Sequence, residues 1–191
     1  MSDKTYHHGD LRLELIEKSV ELISKNGIGA LSLRKVASKC GVSHSAPYAH
    51  FKSKEALLKA ISDHIADKLA TTLKTSAGEP SIDGLVNLGW AYVMFFARYP
   101  QYYSFVFASD YVEVGDNPYE PYDFFKRYLK ELFIKINHPE EKWQNTFIAQ
   151  WAMFHGLASI AIMQEADDPS KYESTVREIL TKNYIITTGG N

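Results

Sequence analysis

Apolar residues recur along this chain at intervals of three and four, and no stretch sustains the alternation that marks a half-buried strand. In a first segment, about 10–25, Leu15, Ser19 and Leu22 share a stripe with Ile16, Val20 and Ile23, which predicts a helix stopped by Asn26-Gly27. Ser32 is placed to cap a short second helix that ends at Cys40, with Gly41 just beyond. A third short helix is expected over about His44 to Phe51. Ser53 then caps a fourth, which turns Leu57, Leu58, Ile61, Ile65 and Leu69 inward. Ala77-Gly78-Glu79-Pro80 breaks the pattern and is the expected domain boundary. Longer apolar helices follow over roughly 81–98, 101–109, 121–137, 139–165 and 170–187, with Pro100, Pro121 and Pro139 at or near their starts. Ser170 and Glu173 have capping-box spacing, and residues 114–118 read as a loop. The fold class is therefore all-α.

The third and second helices carry the function. Cys40-Gly41-Val42-Ser43 joins them, and a turn this tight needs a residue free of Cβ strain, which Gly41 supplies. Ala37 is small enough for the helices to cross closely, while Val36, Val42 and Phe51 fill the space between them. This is a helix-turn-helix, in which the second helix enters the major groove of DNA. Pro47 has no N–H and its ring opposes the carbonyl four residues back, so it is tolerated only in the first turn of that helix.

The run from Leu31 to Phe51, continued by Lys52-Ser53-Lys54-Glu55-Ala56-Leu57-Leu58, resembles the signature of the tetracycline-repressor (TetR) family: a Gly-Val-Ser turn, a Tyr-x-x-Phe pair and a following Lys. Tyr6-His7-His8-Gly9-Asp10-Leu11-Arg12 and Trp151-Ala152-Met153-Phe154-His155-Gly156 resemble one subclass, whose C-terminal domain is named for a Trp-His-Gly pattern. The resemblance implies an N-terminal three-helix DNA-binding domain (1–52), a connecting helix (53–76) and a helical effector-binding and dimerisation domain (77–191). It also implies that Ser32, Ser43, Tyr48, His50, Lys52 and Lys54 meet phosphates. His44, Ser45, Ala46 and Tyr48 would then meet base edges. The recognition helix has no Arg or Lys for a bidentate guanine contact, so Arg34, the N-terminal arm or DNA shape must add specificity. Domains of this family enclose a pocket, and the aromatic-rich stretch here offers Trp90, Phe95, Tyr103, Phe125, Trp151 and His155 as its wall, for an unidentified small apolar effector. His155 reads equally as a satisfied core histidine.

Charge sharpens the division. Residues 1–75 carry a net +4 and the remainder −6, within a total of −2, and a basic N-terminal part suits a DNA-facing role. The polar N-terminus lacks a secretory h-region, and no apolar run approaches the ~20 residues of a membrane span, so a cytoplasmic protein without membrane contact is expected. One cysteine excludes an internal disulfide and a multi-cysteine metal site, and Cys40 reads as a small buried residue before it reads as a redox switch. No phosphate-binding Gly loop, nucleophile motif or metal-spaced His/Glu pair is present, so no enzyme, cofactor or metal is expected. A single helix-turn-helix reads only a few base pairs, so the partners expected are double-stranded operator DNA and a second copy of the chain, joined through the last two helices, whose apolar Ile160, Met163, Val176, Ile179, Leu180 and Tyr184 are expected at the interface. An activator of the same fold, or a helical ligand-binding enzyme, are the alternatives to a repressor.

Overall fold

In a computed structural model, residues 8–108, 120–164 and 172–182 are described. They form eight α-helices: α1 (His8–Asn26), α2 (Leu33–Lys39), α3 (Lys54–Ala77), α4 (Ile82–Arg98), α5 (Pro100–Ala108), α6 (Glu120–Lys135), α7 (Trp143–Met163) and α8 (Glu173–Lys182). Among these residues there is no strand. The loop at 114–118, Ser170 of the capping box and Tyr184 lie outside the described residues.

The chain divides into two units, residues 1–65 with 101–115, and 66–100 with 116–191. The chain passes between them inside α3, and again where α5 begins. In the first unit the stripe of α1 is buried as its spacing requires, with Leu15 and Val20 at 0% exposure and Ser19 giving its hydroxyl to the Leu15 carbonyl at 2.6 Å. Asn26 closes α1, and Gly27 follows at φ 75°, a left-handed turn that glycine takes without a Cβ penalty. A polar cluster fastens α5 to this unit: the buried Tyr102 donates its hydroxyl to Glu17 Oε1 at 2.5 Å, and the same carboxylate lies 3.1 Å from His64 Nε2.

In the second unit α4 is the central element, with α7 and α8 packed on it. Gly89 is required there, since a Cβ would come within 2.5 Å of the Phe154 ring and 3.0 Å of Leu180. Ser81 caps α4, accepting from Gly84 N–H at 3.0 Å. The Tyr128 hydroxyl sits among the 77–81 carbonyls, 3.0 Å from that of Glu79, and receives the Ser81 N–H at 3.2 Å. The break at Ala77-Gly78 is thus a stitched turn within this unit. The helix expected from 139 starts at Trp143, because Glu140–Lys142 winds as a 3₁₀ turn after Pro139.

One expectation about α8 needs correction. Val176 and Leu180, assigned to a subunit interface, are 5% and 2% exposed within the unit itself, where Leu180 approaches Gly89. Ile160 and Met163 of α7 are instead 51% and 75% exposed. With Ile148, Ala152 and Gly156 they form an uncovered apolar row at helical spacing. The stretch Glu140–Met163 is also long and apolar enough, by mean composition, to span a membrane, which departs from the expectation that no such stretch exists. Its packing on α4 is that of a helix with one covered face.

Candidate functional site

The segment between α1 and α3 is built by caps and by one glycine. Ser32 Oγ accepts from Lys35 N–H at 3.3 Å and starts α2, so its hydroxyl is engaged as an N-cap. At the far end Val42 N–H returns to the Ala37 carbonyl at 3.1 Å, and Gly41 makes that turn at φ 67°. Val36, Ala37 and Phe51 are buried beneath it.

The second element differs from expectation. Instead of a helix over His44–Phe51, the chain forms a 3₁₀ turn, Ala46–Ala49. Pro47 explains this. It has no N–H for the Ser43 carbonyl, which takes the Ala46 N–H instead at 3.0 Å, and tighter i+3 bonds follow from Tyr48 to Ser45 and from His50 to Pro47. Pro47 itself is buried, so the proline that forbids a regular helix also anchors the turn to the core.

The side chains this turn presents are polar and exposed. Ser43, His44, Ser45 and Tyr48 face solvent, Tyr48 at 51%, while Ala46 and His50 are half-buried. Ser38 of α2, which sequence reasoning missed, lies 3.2 Å from His44 Nε2 and gives its own proton to the Arg34 carbonyl at 3.1 Å. Its hydroxyl therefore accepts from His44 Nε2–H. Ser43 and Ser45 hydroxyls lie 3.1 Å apart. Arg34, Lys35, Lys39 and Lys52 are exposed on the same segment, and of these Lys35 and Lys39 were not anticipated. A signal for them was present: residues 26–54 hold five cations and no carboxylate. Lys54 is partly committed, since its ammonium donates to the Ile28 carbonyl at 3.0 Å and ties the α1–α2 connection to α3. Cys40 is half-buried, and burial holds its thiol above the usual pKa of 9.0, the inert state rather than the reactive thiolate.

The six expected pocket residues have these surroundings within their own units. Phe125, Trp151 and His155 gather around Tyr92: the Trp151 ring lies 5.6 Å from Tyr92 and 5.2 Å from Phe125, and His155 lies 5.2 Å from Tyr92. Trp90 sits elsewhere on α4 with Arg177 over its face at 5.5 Å, and Phe95 pairs with Phe96 and Tyr99. Tyr103 belongs to the first unit, where its ring meets Phe107. His155 Nδ1 lies 2.8 Å from the Trp151 carbonyl, which can only accept, so Nδ1 carries the proton and Nε2 accepts from the Tyr92 hydroxyl at 3.1 Å. Burial lowers the His155 pKa below 6.5 and keeps the ring neutral. Nearby Gln150 is 1% exposed, and its Nε2 has no hydrogen-bond partner. Among the described residues no three His, Cys, Asp or Glu side chains gather as a metal site would require.

Residues 15–61 match the family model described as bacterial regulatory proteins, tetR family. Residues 15–61 are therefore similar to the region that this family model describes. An uncharacterized HTH-type transcriptional regulator of Bacillus subtilis, YerO, is 37% identical to it over 70 residues, 35% of this chain and 24% of the relative. An HTH-type transcriptional repressor of Mycobacterium tuberculosis is 30% identical over 63 residues, 33% of this chain and 34% of the relative. The chain thus spans about a quarter to a third of the length of these curated relatives. A tetR-family regulatory protein from Rhodococcus RHA1 has the same fold, with TM-score 0.65 at 18% identity over 89% of this chain and 94% of that one. The all-α architecture, with an N-terminal helix-turn-helix and a helical body, is that of tetR-like structures.

Proposed function

We propose that the protein is a transcriptional regulator, a cytoplasmic repressor that binds a palindromic operator as a homodimer and is released by a small hydrophobic effector. The observation that carries this reading is the exposed face of the tetR-like region, where polar side chains at 43–48 are flanked by Arg34, Lys35, Lys39 and Lys52 with no carboxylate among residues 26–54. Such a face suits phosphate contacts from its cations and base contacts from His44 and Ser45. With Nε2 held by Ser38, His44 Nδ1 is suited to accept from the amino group of adenine or cytosine.

The uncovered row on α7 supports the second copy. Gly156 has nothing within 4 Å of where a Cβ would stand, so close packing inside the subunit does not account for it. A partner helix would. The aromatic body supports the effector. Leaving the Gln150 Nε2 donor buried and unpaired costs about 1–3 kcal/mol, and a ligand acceptor would recover it. The Trp151-His155-Gly156 pattern also supports the subclass assignment.

The test is fluorescence anisotropy with duplexes selected by the protein, across a salt series. Affinity should fall steeply as salt rises, and the double change of Arg34 and Lys39 to alanine, which removes four cations from the dimer, should reduce the salt slope by about three to four. An affinity indifferent to salt contradicts the reading.

A further inference from the structure

Between α6 and α7 lies a half-open groove of about 420 Å³, within the range of small-molecule sites. Its lining is aromatic at the walls and cationic at the rim. Tyr122, Lys126, Lys130 and Phe133 come from one face of α6, and Trp143 and Phe147 oppose them from α7. The walls are held in place without a ligand. Trp143 donates its indole N–H to the His138 carbonyl at 2.9 Å and lies 5.8 Å from the Phe133 ring. Phe147 meets Tyr122 edge-on at 5.4 Å and Phe125 at 5.3 Å.

The rim is the informative part. Lys126 and Lys130 are exposed, one turn apart, and among the described residues neither has an ion pair. The neighbouring Arg127, by contrast, reaches Glu120 at 3.5 Å, as does Lys74 at 2.6 Å. Two unpaired ammonium groups beside a fixed aromatic trough suit a molecule with a negative head and an apolar body. We infer that this groove binds an amphipathic organic anion, its carboxylate or like head between Lys126 and Lys130 and its apolar part against Phe133, Trp143 and Phe147. The groove lies beside the Tyr92 cluster, which its walls meet through Phe125 and Trp151, and it does not depend on the DNA-binding reading.

Decanoate is a suitable probe, used below its micelle-forming concentration on the full-length protein. The readout is the three tryptophan indole N–H resonances, with Trp143 assigned through Trp143→Phe. Decanoate should shift the Trp143 signal saturably and leave Trp90 unmoved. Decyltrimethylammonium, with the same tail and the opposite charge, should not bind there. Lys126→Glu with Lys130→Glu should weaken decanoate by at least about tenfold, since each reversal turns an attraction of about one decade into a repulsion. The Arg variants at both positions should retain it. Because both lysines are exposed, these variants keep the fold, which circular dichroism checks. An unmoved Trp143 signal, including one produced by a second copy covering the groove, overturns the proposal. So does equal binding of the two surfactants, or indifference to charge reversal.

Discussion

The tetR-like segment and the aromatic body are stabilised in different ways. Between Ser32 and Phe51 order comes from local devices: one cap, one left-handed glycine, one buried proline and a few side chains beneath. Around Tyr92 it comes from rings contributed by α4, α6 and α7, distant in sequence. The difference teaches where function is to be sought in each. The small segment keeps its polar side chains outside, free to meet a partner. Around Tyr92 the body engages its buried polar groups with one another, as His155 does with Tyr92, while among the described residues Gln150 Nε2 is left over.

The largest effect is expected in the body. Phe154 is fully buried against Phe125 and against the bare face of Gly89, so Phe154→Ala should cost about 3–5 kcal/mol, read as a lowered urea midpoint. A loss below 1 kcal/mol would mean the ring cluster is not the body's core. Next comes the turn. Gly41→Ala has open space but the wrong backbone hand, and should cost about 1–2 kcal/mol by the same measurement, through strain alone. Were Gly41→Ala neutral, the φ of this turn would not be what holds α2 against the recognition turn.

A third change separates the two readings of α7. Alanine is favoured over glycine inside a helix by about 1 kcal/mol, so Gly156→Ala should stabilise an isolated subunit. If a second copy packs there, the same change should shift sedimentation toward monomer. Stabilisation with no change in sedimentation would remove Gly156 from the interface.

The smallest effect is one of pH. Burial lowers the pKa values of His155 and His138, so each folded ring binds its proton less readily than the unfolded chain does. Stability is then full above the ordinary value of 6.5 and declines as pH falls through and below it. Replacing His155 with Gln should flatten part of that acid decline in a thermal-melt series, while a rise in stability on acidification would contradict the neutral-ring assignment.

How far the chain could be read in advance follows the same contrast. The α1 stripe, the Ser32 cap and the Gly41 turn are local signals, written within a few residues of one another, and the structure places them as expected. Pro47 reads as awkward from the sequence, yet its consequence is larger: because it removes the donor for the Ser43 carbonyl, the expected helix shortens to a 3₁₀ turn. Lys54 shows a different gap. Its tether to the Ile28 carbonyl joins positions 26 apart, which no spacing rule encodes. The same holds for Tyr92, whose partners lie on α7, and for Val176 and Leu180, whose apolar character fits an internal face as well as an external one. Periodicity tells that a residue is covered, not by what.

The central claim is that the exposed side chains of the 43–48 turn read base sequence while the flanking cations hold phosphate. Selection of bound duplexes from a random pool tests it most directly, run with the natural protein, with His44→Ala/Ser45→Ala and with Lys52→Ala. The account predicts a two-fold-symmetric consensus for the natural protein, its half-sites about one helical turn (~34 Å) apart. It further predicts a changed consensus when His44 and Ser45 are lost, and an unchanged consensus at weaker affinity when Lys52 is lost. A pool that emerges without preference, or a consensus that survives the loss of His44 and Ser45 intact, would contradict it.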